Sequence, residues 1–309
     1  MVKASYTSKT VRLQYDPFPL VLHQAPPRGR LYALMAIKAE DSPEAQQALN
    51  ELLAKQSASG AFPFAEAGYD APSVNETART VGLLLDLGFS RHEEPVKRAL
   101  EWLWRLRYPD GGWREHPALR PVLRRSSLVS FKRPVVWITA SAATVLLRAQ
   151  FVDRKALERT YQLILRAEAR VGGWPPVYKK GGPEVPVVDD VVEFLLIYTG
   201  DPEYPAIRRA LRFLAQTRGM WIHPINAVTV LRTLRFVNRT DSQAFWDVIS
   251  ILVESQREDG GWSVYSGERS HPLLTGIITY ELAQAGVEIP TSYEPGSVVS
   301  VEEGEQGAE

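Results

Sequence analysis

Two adjacent carboxylates, Asp189 and Asp190, stand at the head of an otherwise apolar run, Val187-Val188-Asp189-Asp190-Val191-Val192, and Glu193 follows. At helical spacing Glu193 shares a face with one or other of them. Carboxylates in such a setting are costly unless they hold a proton, a metal or a charged partner. A group of that kind can deliver a proton or stabilise a cation, so Asp189, Asp190 and Glu193 are candidate catalytic residues. His271, also ahead of an apolar run, joins them. The simpler account of the aspartates is a helix cap or a salt bridge, and of His271 a surface or capping residue. Imidazole and carboxylate also ligate divalent ions. That chemistry is open but not favoured, no metal ligand is assigned, and the cofactor is unknown.

The second cluster is cationic. Between Arg114 and Arg133 the chain carries Arg114, Arg120, Arg124, Arg125, Lys132 and Arg133 against Glu115 alone, and Lys179 and Lys180 lie further on. Guanidinium and ammonium groups so placed suit a diphosphate or another anionic head group; a solvated loop is the plain alternative. Arg124, Arg125, Arg133 and Lys179 are therefore candidate ligand-binding residues. Trp137, Asn226 and Tyr265, at or near the starts of apolar segments, complete the set. Phe131 is the one aromatic among these arginines, too few for a nucleic-acid stacking platform.

The elements that must position these groups recur along the chain. Five small-residue turns end in an aromatic: Ser59-Gly60-Ala61-Phe62, Asp110-Gly111-Gly112-Trp113, Gly172-Gly173-Trp174, Gly219-Met220-Trp221 and Asp259-Gly260-Gly261-Trp262. The aromatics fall 51, 61, 47 and 41 residues apart, a period that suits a helix pair per repeat. Before each turn runs an amphipathic segment, as in 94–108, 154–169, 205–217 and 242–256. Ser42-Pro43, Glu94-Pro95, Asp153 and Asp241 mark helix starts. After each turn runs a segment apolar nearly all round: 74–87, 135–149, 187–199, 225–237 and 272–285. Helices of the second kind are covered on every side. The fold class predicted is all-α, a single α/α toroid of about five to six helical hairpins, with parallel inner helices surrounded by outer ones. Every turn then opens onto one rim, where helix N-termini favour anions. The glycines and indoles of the turns read as structural, plugging the layer between helices.

This pattern resembles the terpenoid cyclases and protein prenyltransferase β subunits, whose repeats end in Gln-x-x-x-Asp-Gly-Gly-Trp. Gln256-Arg257-Glu258-Asp259-Gly260-Gly261-Trp262 is the fullest copy, and the resemblance spans roughly residues 43 to 286. In the squalene-hopene cyclase branch an Asp-x-Asp-Asp motif supplies the proton. The resemblance maps its last two positions onto Asp189 and Asp190, and the first carboxylate is missing here. In the prenyltransferases an Asp, a Cys and a His hold zinc. Ser270-His271-Pro272 resembles the His stretch, but the chain has no cysteine. What the resemblance implies is an isoprenoid or similar apolar ligand in a central cavity, handled by cyclase-like or prenyltransferase-like chemistry.

Composition trims the alternatives. With 309 residues and 45% hydrophobic content the chain can bury one large core. Its 36 basic and 36 acidic side chains cancel, so nothing global draws it to nucleic acid or to an anionic membrane, and any basic partner site must be local. No apolar run approaches the roughly 18 residues of a spanning helix, and no signal segment opens the chain, which reads as soluble and cytoplasmic. Residues 1–27, with Pro17 and Pro19, are expected as an extended arm, 28–290 as the toroid, and 291–309, rich in glutamate, as a disordered tail. Two further functions stay open: a non-catalytic module that binds a lipid, peptide or protein at its rim, and a carbohydrate-active toroid using paired carboxylates.

Overall fold

The computed structural model describes residues 11–64, 70–265 and 267–296. Its elements are almost entirely helical, and the only strands among those residues are Phe62–Pro63 and Pro72–Ser73, paired antiparallel. The chain forms two compact units, one made of the segments up to Leu52, 256–262 and from Ser270 on, the other of 53–255 and 263–269.

In the larger unit the apolar segments are α4 (Val74–Asp86), α7 (Val136–Arg148), α9 (Val188–Thr199) and α11 (Pro224–Phe236). They lie side by side in that order. Nine consecutive residues of α7, Ile138 to Leu146, are buried, as expected of a helix covered all round. The amphipathic helices are α5 (Glu94–Arg105), α8 (Glu158–Ala167), α10 (Pro205–Gln216) and α12 (Gln243–Glu254). Helix α5 buries Val96, Ala99, Leu100 and Leu103, one stripe at three- and four-residue steps, against α4 and α7. A proline stands in the first turn of α5 and of α10, where no amide partner is lost. The start expected at Asp241 moves one residue, because Ser242 is the side chain that accepts from the Phe245 amide.

The aromatic turns have a common physics. In Asp110-Gly111-Gly112-Trp113 the aspartate accepts from the Gly112 amide at 3.0 Å. Gly111 sits at φ +90°, where a Cβ would meet the Arg159 carbonyl carbon at 2.6 Å, so only glycine fits. Fully buried Trp113 donates its indole N–H to Leu103 O at 2.7 Å, and Trp174 repeats this with Ile164 O at 2.9 Å. The backbone amides of Phe62 and Trp113 are taken by Thr77 and Thr139, each on the apolar helix that follows. The buried aromatics of these turns hold layers together.

The smaller unit contains α1 (Phe18–Gln24), α2 (Pro27–Ala36), all but the end of α3 (Pro43–Ala54), and α13 (Pro272–Gln284). Helix α2 runs against α13 so closely that a Cβ on Gly276 would lie 2.2 Å from Gly29 O. Gln256 fastens the N-terminal segment: its Oε1 accepts from the Gln14 and Tyr15 amides, and its Nε2 donates to Tyr15 O and Gly260 O.

Two sequence expectations are corrected here. The arm assigned to residues 1–27 is helical from Phe18 to Gln24, because Pro17 and Pro19 occupy the cap and first turn, positions a helix tolerates. The tail assigned to 291–309 is anchored at its beginning: Tyr293 is buried, stacks near Phe18 and donates to Glu44, while Ser292 donates to Asp16. Residues 1–10 and 297–309 of those two segments lie outside the described residues.

Candidate functional site

Asp189 and Asp190 occupy the first turn of α9, where Val187 precedes them and no side chain caps the helix. Both carboxylates are buried and both are ion-paired. Asp189 accepts from Arg232 of α11 at 2.7 Å, and Asp190 accepts from Arg79 of α4 at 2.7 Å. Glu193, one turn on, lies 3.8 Å from Arg148 of α7 and 4.0 Å from Arg232. Arg148 also pairs with Asp86 at the end of α4. Guanidinium groups and carboxylates thus interlock across four helices. Burial, with the charge of Asp189, pushes Asp190 up to about 7 against the opposing pull of Arg79 and Arg232. Burial likewise raises Glu193.

An interior apolar throughout does not hold where α4, α7, α9 and α11 meet, since this network fills their shared faces with charge. The three arginines are the residues missed in the sequence. Their signal was available: a cation on a mostly apolar, buried helix demands a partner. Among the described residues no group of three or more His, Cys, Asp or Glu side chains is arranged to hold a metal ion.

His271, the fourth catalytic candidate, caps α13: its Nδ1 accepts from the Leu274 amide at 3.3 Å. Asn226 is buried and donates to Met220 O at 2.8 Å, bracing the shortened turn before α11. Tyr265 is exposed, edge-on to His223. None of these three lines a described cavity.

The cationic residues do converge. Arg120, Arg124, Lys132, Arg133 and Lys180, with Phe131, form most of the wall of a cavity of about 460 Å³ that has no carboxylate in its lining. Arg125 and Lys179 are exposed next in sequence to wall residues. Several contacts fix the loop. Arg114 stacks on Tyr108 and donates to Asp110 and to Lys132 O, Trp137 donates its indole N–H to Leu128 O at 3.1 Å, and Arg133 donates to Lys179 O at 3.0 Å. Arg120 lies over the Phe131 ring. Glu115, the loop's single acid, turns inward: it accepts from the Val74 amide at 2.7 Å, the Ser73 hydroxyl and the His116 amide, and burial raises its pKa. Its charge serves the start of α4, which leaves the outward face wholly cationic.

A layer of amphipathic helices around apolar ones, joined by glycine-aromatic turns, defines the class of α/α toroids of terpenoid-cyclase-like fold. Comparison with solved structures agrees. A protein from Actinoplanes matches with a TM-score of 0.60 at 18% identity, over 90% of this chain and 91% of that one. The type II terpene cyclase MstE from Scytonema matches with a TM-score of 0.60 at 15% identity, over 84% and 87%. The GH76 α-mannanase BT2949 of Bacteroides thetaiotaomicron matches with a TM-score of 0.58 at 11% identity, over 88% and 86%. At these identities the likeness establishes the fold, and activity must be argued from the site. No family model and no curated protein matches the sequence.

Proposed function

We propose that this chain is a binding module on a terpenoid-cyclase-like toroid, taking the head group of an anionic amphiphile of the isoprenyl diphosphate class in the Arg120–Lys180 cavity. One observation carries the reading: five cations and a phenyl ring line an open surface depression free of carboxylate. Guanidinium forks match phosphate oxygens, and Phe131 with Leu123 and Val129 offers apolar surface to the first carbons of the chain. The fold neighbour MstE is known in complex with geranylgeranyl dihydroxybenzoate, an isoprenoid with a polar head, which supports the ligand class.

Titration with geranylgeranyl diphosphate, inorganic pyrophosphate and geranylgeraniol tests it by calorimetry. The two diphosphates are expected to bind, the alcohol far more weakly, and Arg124→Ala with Arg133→Ala to lower diphosphate affinity about tenfold or more, a loss of about 1.4 kcal/mol. Equal binding of alcohol and diphosphate would sink the reading.

A second reading has a specific observation behind it. Asp190, held near 7, is partly protonated at neutral pH and is the group best poised to protonate an alkene. Against it, Arg79 at 2.7 Å favours the carboxylate and occupies one of its oxygens. Product formation from a polyprenyl substrate that Asp190→Asn abolishes while diphosphate binding persists would establish the catalytic reading instead.

A further inference from the structure

The cationic loop carries a second feature that the cavity does not use. Val122 and Leu128, on the same segment, are exposed at 37% and 41%. They stand among Arg120, Arg124, Arg125, Lys132 and Arg133, and from Arg120 to Arg133 there is no acidic residue. Lys179 and Lys180 add two cations, brought to the loop by the Arg133 bond to Lys179 O and by the Tyr178 amide bond to Pro134 O. The aliphatic residues are presented by an ordered backbone, since Trp137 of α7 holds Leu128 O. The inward turn of Glu115 removes the loop's single acid from the outward face.

From this combination we infer that residues 120–133, with Lys179 and Lys180, form a docking face for an anionic lipid bilayer, Val122 and Leu128 entering the head-group layer while the cations meet lipid phosphates. Clustered cations near an anionic leaflet each add to binding, and apolar side chains among them add the burial that makes contact persist. The protein's zero net charge makes the attraction local and therefore orienting, toward the face where the cations cluster without acids. The cavity opens among the same residues, so the ligand would be taken from the membrane. The inference rests on the ligand reading for the occupant of the cavity, but not for the docking itself.

Co-sedimentation of the full chain with vesicles of equimolar phosphatidylglycerol and phosphatidylcholine, and with vesicles of phosphatidylcholine alone, separates the two. Binding is expected to the anionic vesicles only, to weaken about tenfold or more between low and high salt, and to fall at least as far in Arg124→Glu/Arg125→Glu. Val122→Ser/Leu128→Ser is expected to weaken vesicle binding severalfold and to leave calorimetric binding of inorganic pyrophosphate unchanged. Pyrophosphate binding without anionic-vesicle binding overturns the docking face and spares the ligand reading. Vesicle binding without any diphosphate binding supports the face and removes the ligand. Vesicle binding insensitive to the charge reversal overturns the inference.

Discussion

Arg79 of α4 and Asp190 of α9 meet at 2.7 Å although 111 residues separate them, and α7 lies between their helices in the row. The contact is therefore a tie across the inner face. Its two partners are unequal: the Asp190 side chain is buried, whereas that of Arg79 keeps 23% exposure. Removing the cation takes a charged partner from a carboxyl group already held near 7, which then keeps its proton at neutral pH, while removing the carboxylate leaves a guanidinium that water still reaches. Arg79→Ala is expected to destabilise by about 1–3 kcal/mol at neutral pH, the cost of a buried polar group that loses its partner, and Asp190→Asn by clearly less. Urea unfolding of both variants measures the asymmetry, and equal losses would contradict this account.

The same carboxylate makes stability depend on pH. Its folded pKa of about 7 lies above its ordinary value of 3.8, so between those limits the folded chain binds more protons than the unfolded one. Stability from this group is complete below about 4 and is lost as pH rises through about 7. Thermal melts across that window are expected to show a falling component in the native protein that Asp190→Asn lacks. A variant with an unchanged pH profile would mean that Asp190 titrates normally.

How much of this was legible in the sequence depends on distance along the chain. The turns and the helices flanking them rest on local chemistry, glycine at positive φ, proline in first turns and periodic apolar residues, and the segment predicted over 187–199 is the helix Val188–Thr199. Helix α1 was misread because two prolines close together look like the mark of an extended segment, yet cap and first-turn positions accept them. Within the site, Asp189 and Asp190 were conspicuous as charges ahead of an apolar run. Their partners were not, since Arg232 lies 43 residues from Asp189 and Arg79 lies 111 from Asp190, and only packing selects them. Glu115 was read as a minor term in a basic loop; that it faces inward was invisible until Val74 had a position.

The turn aromatics are expected to behave as structural residues. Trp113 has no exposed surface and its indole N–H is satisfied by Leu103 O. Trp113→Ala is expected to cost about 3–5 kcal/mol, through lost burial and a cavity. Trp113→Phe keeps most of the ring volume and removes one of two donors to Leu103 O, which still accepts from the Leu106 amide, so only about 1 kcal/mol is expected. Chemical denaturation gives both values. A Trp113→Ala variant of native stability that lost diphosphate binding would instead make the indole a ligand contact.

Gly276 offers the most demanding test of the smaller unit. A methyl group there would lie 2.2 Å from Gly29 O and 2.9 Å from Gly29 C, both backbone atoms, so no side chain can swing aside and α13 must move away from α2. Forced separation of packed elements costs about 1–3 kcal/mol and can exceed that. The helix-propensity gain of alanine over glycine, roughly 1 kcal/mol, acts in the opposite direction and is too small to offset a clash with main chain. Gly219→Ala is the matching control, because nothing lies within 4 Å of its added methyl group. Gly276→Ala should lower the melting temperature by several degrees and Gly219→Ala should leave it near native. A neutral Gly276→Ala would require the two helices to have slack at their crossing, and the tight approach of their backbones would then carry no stability.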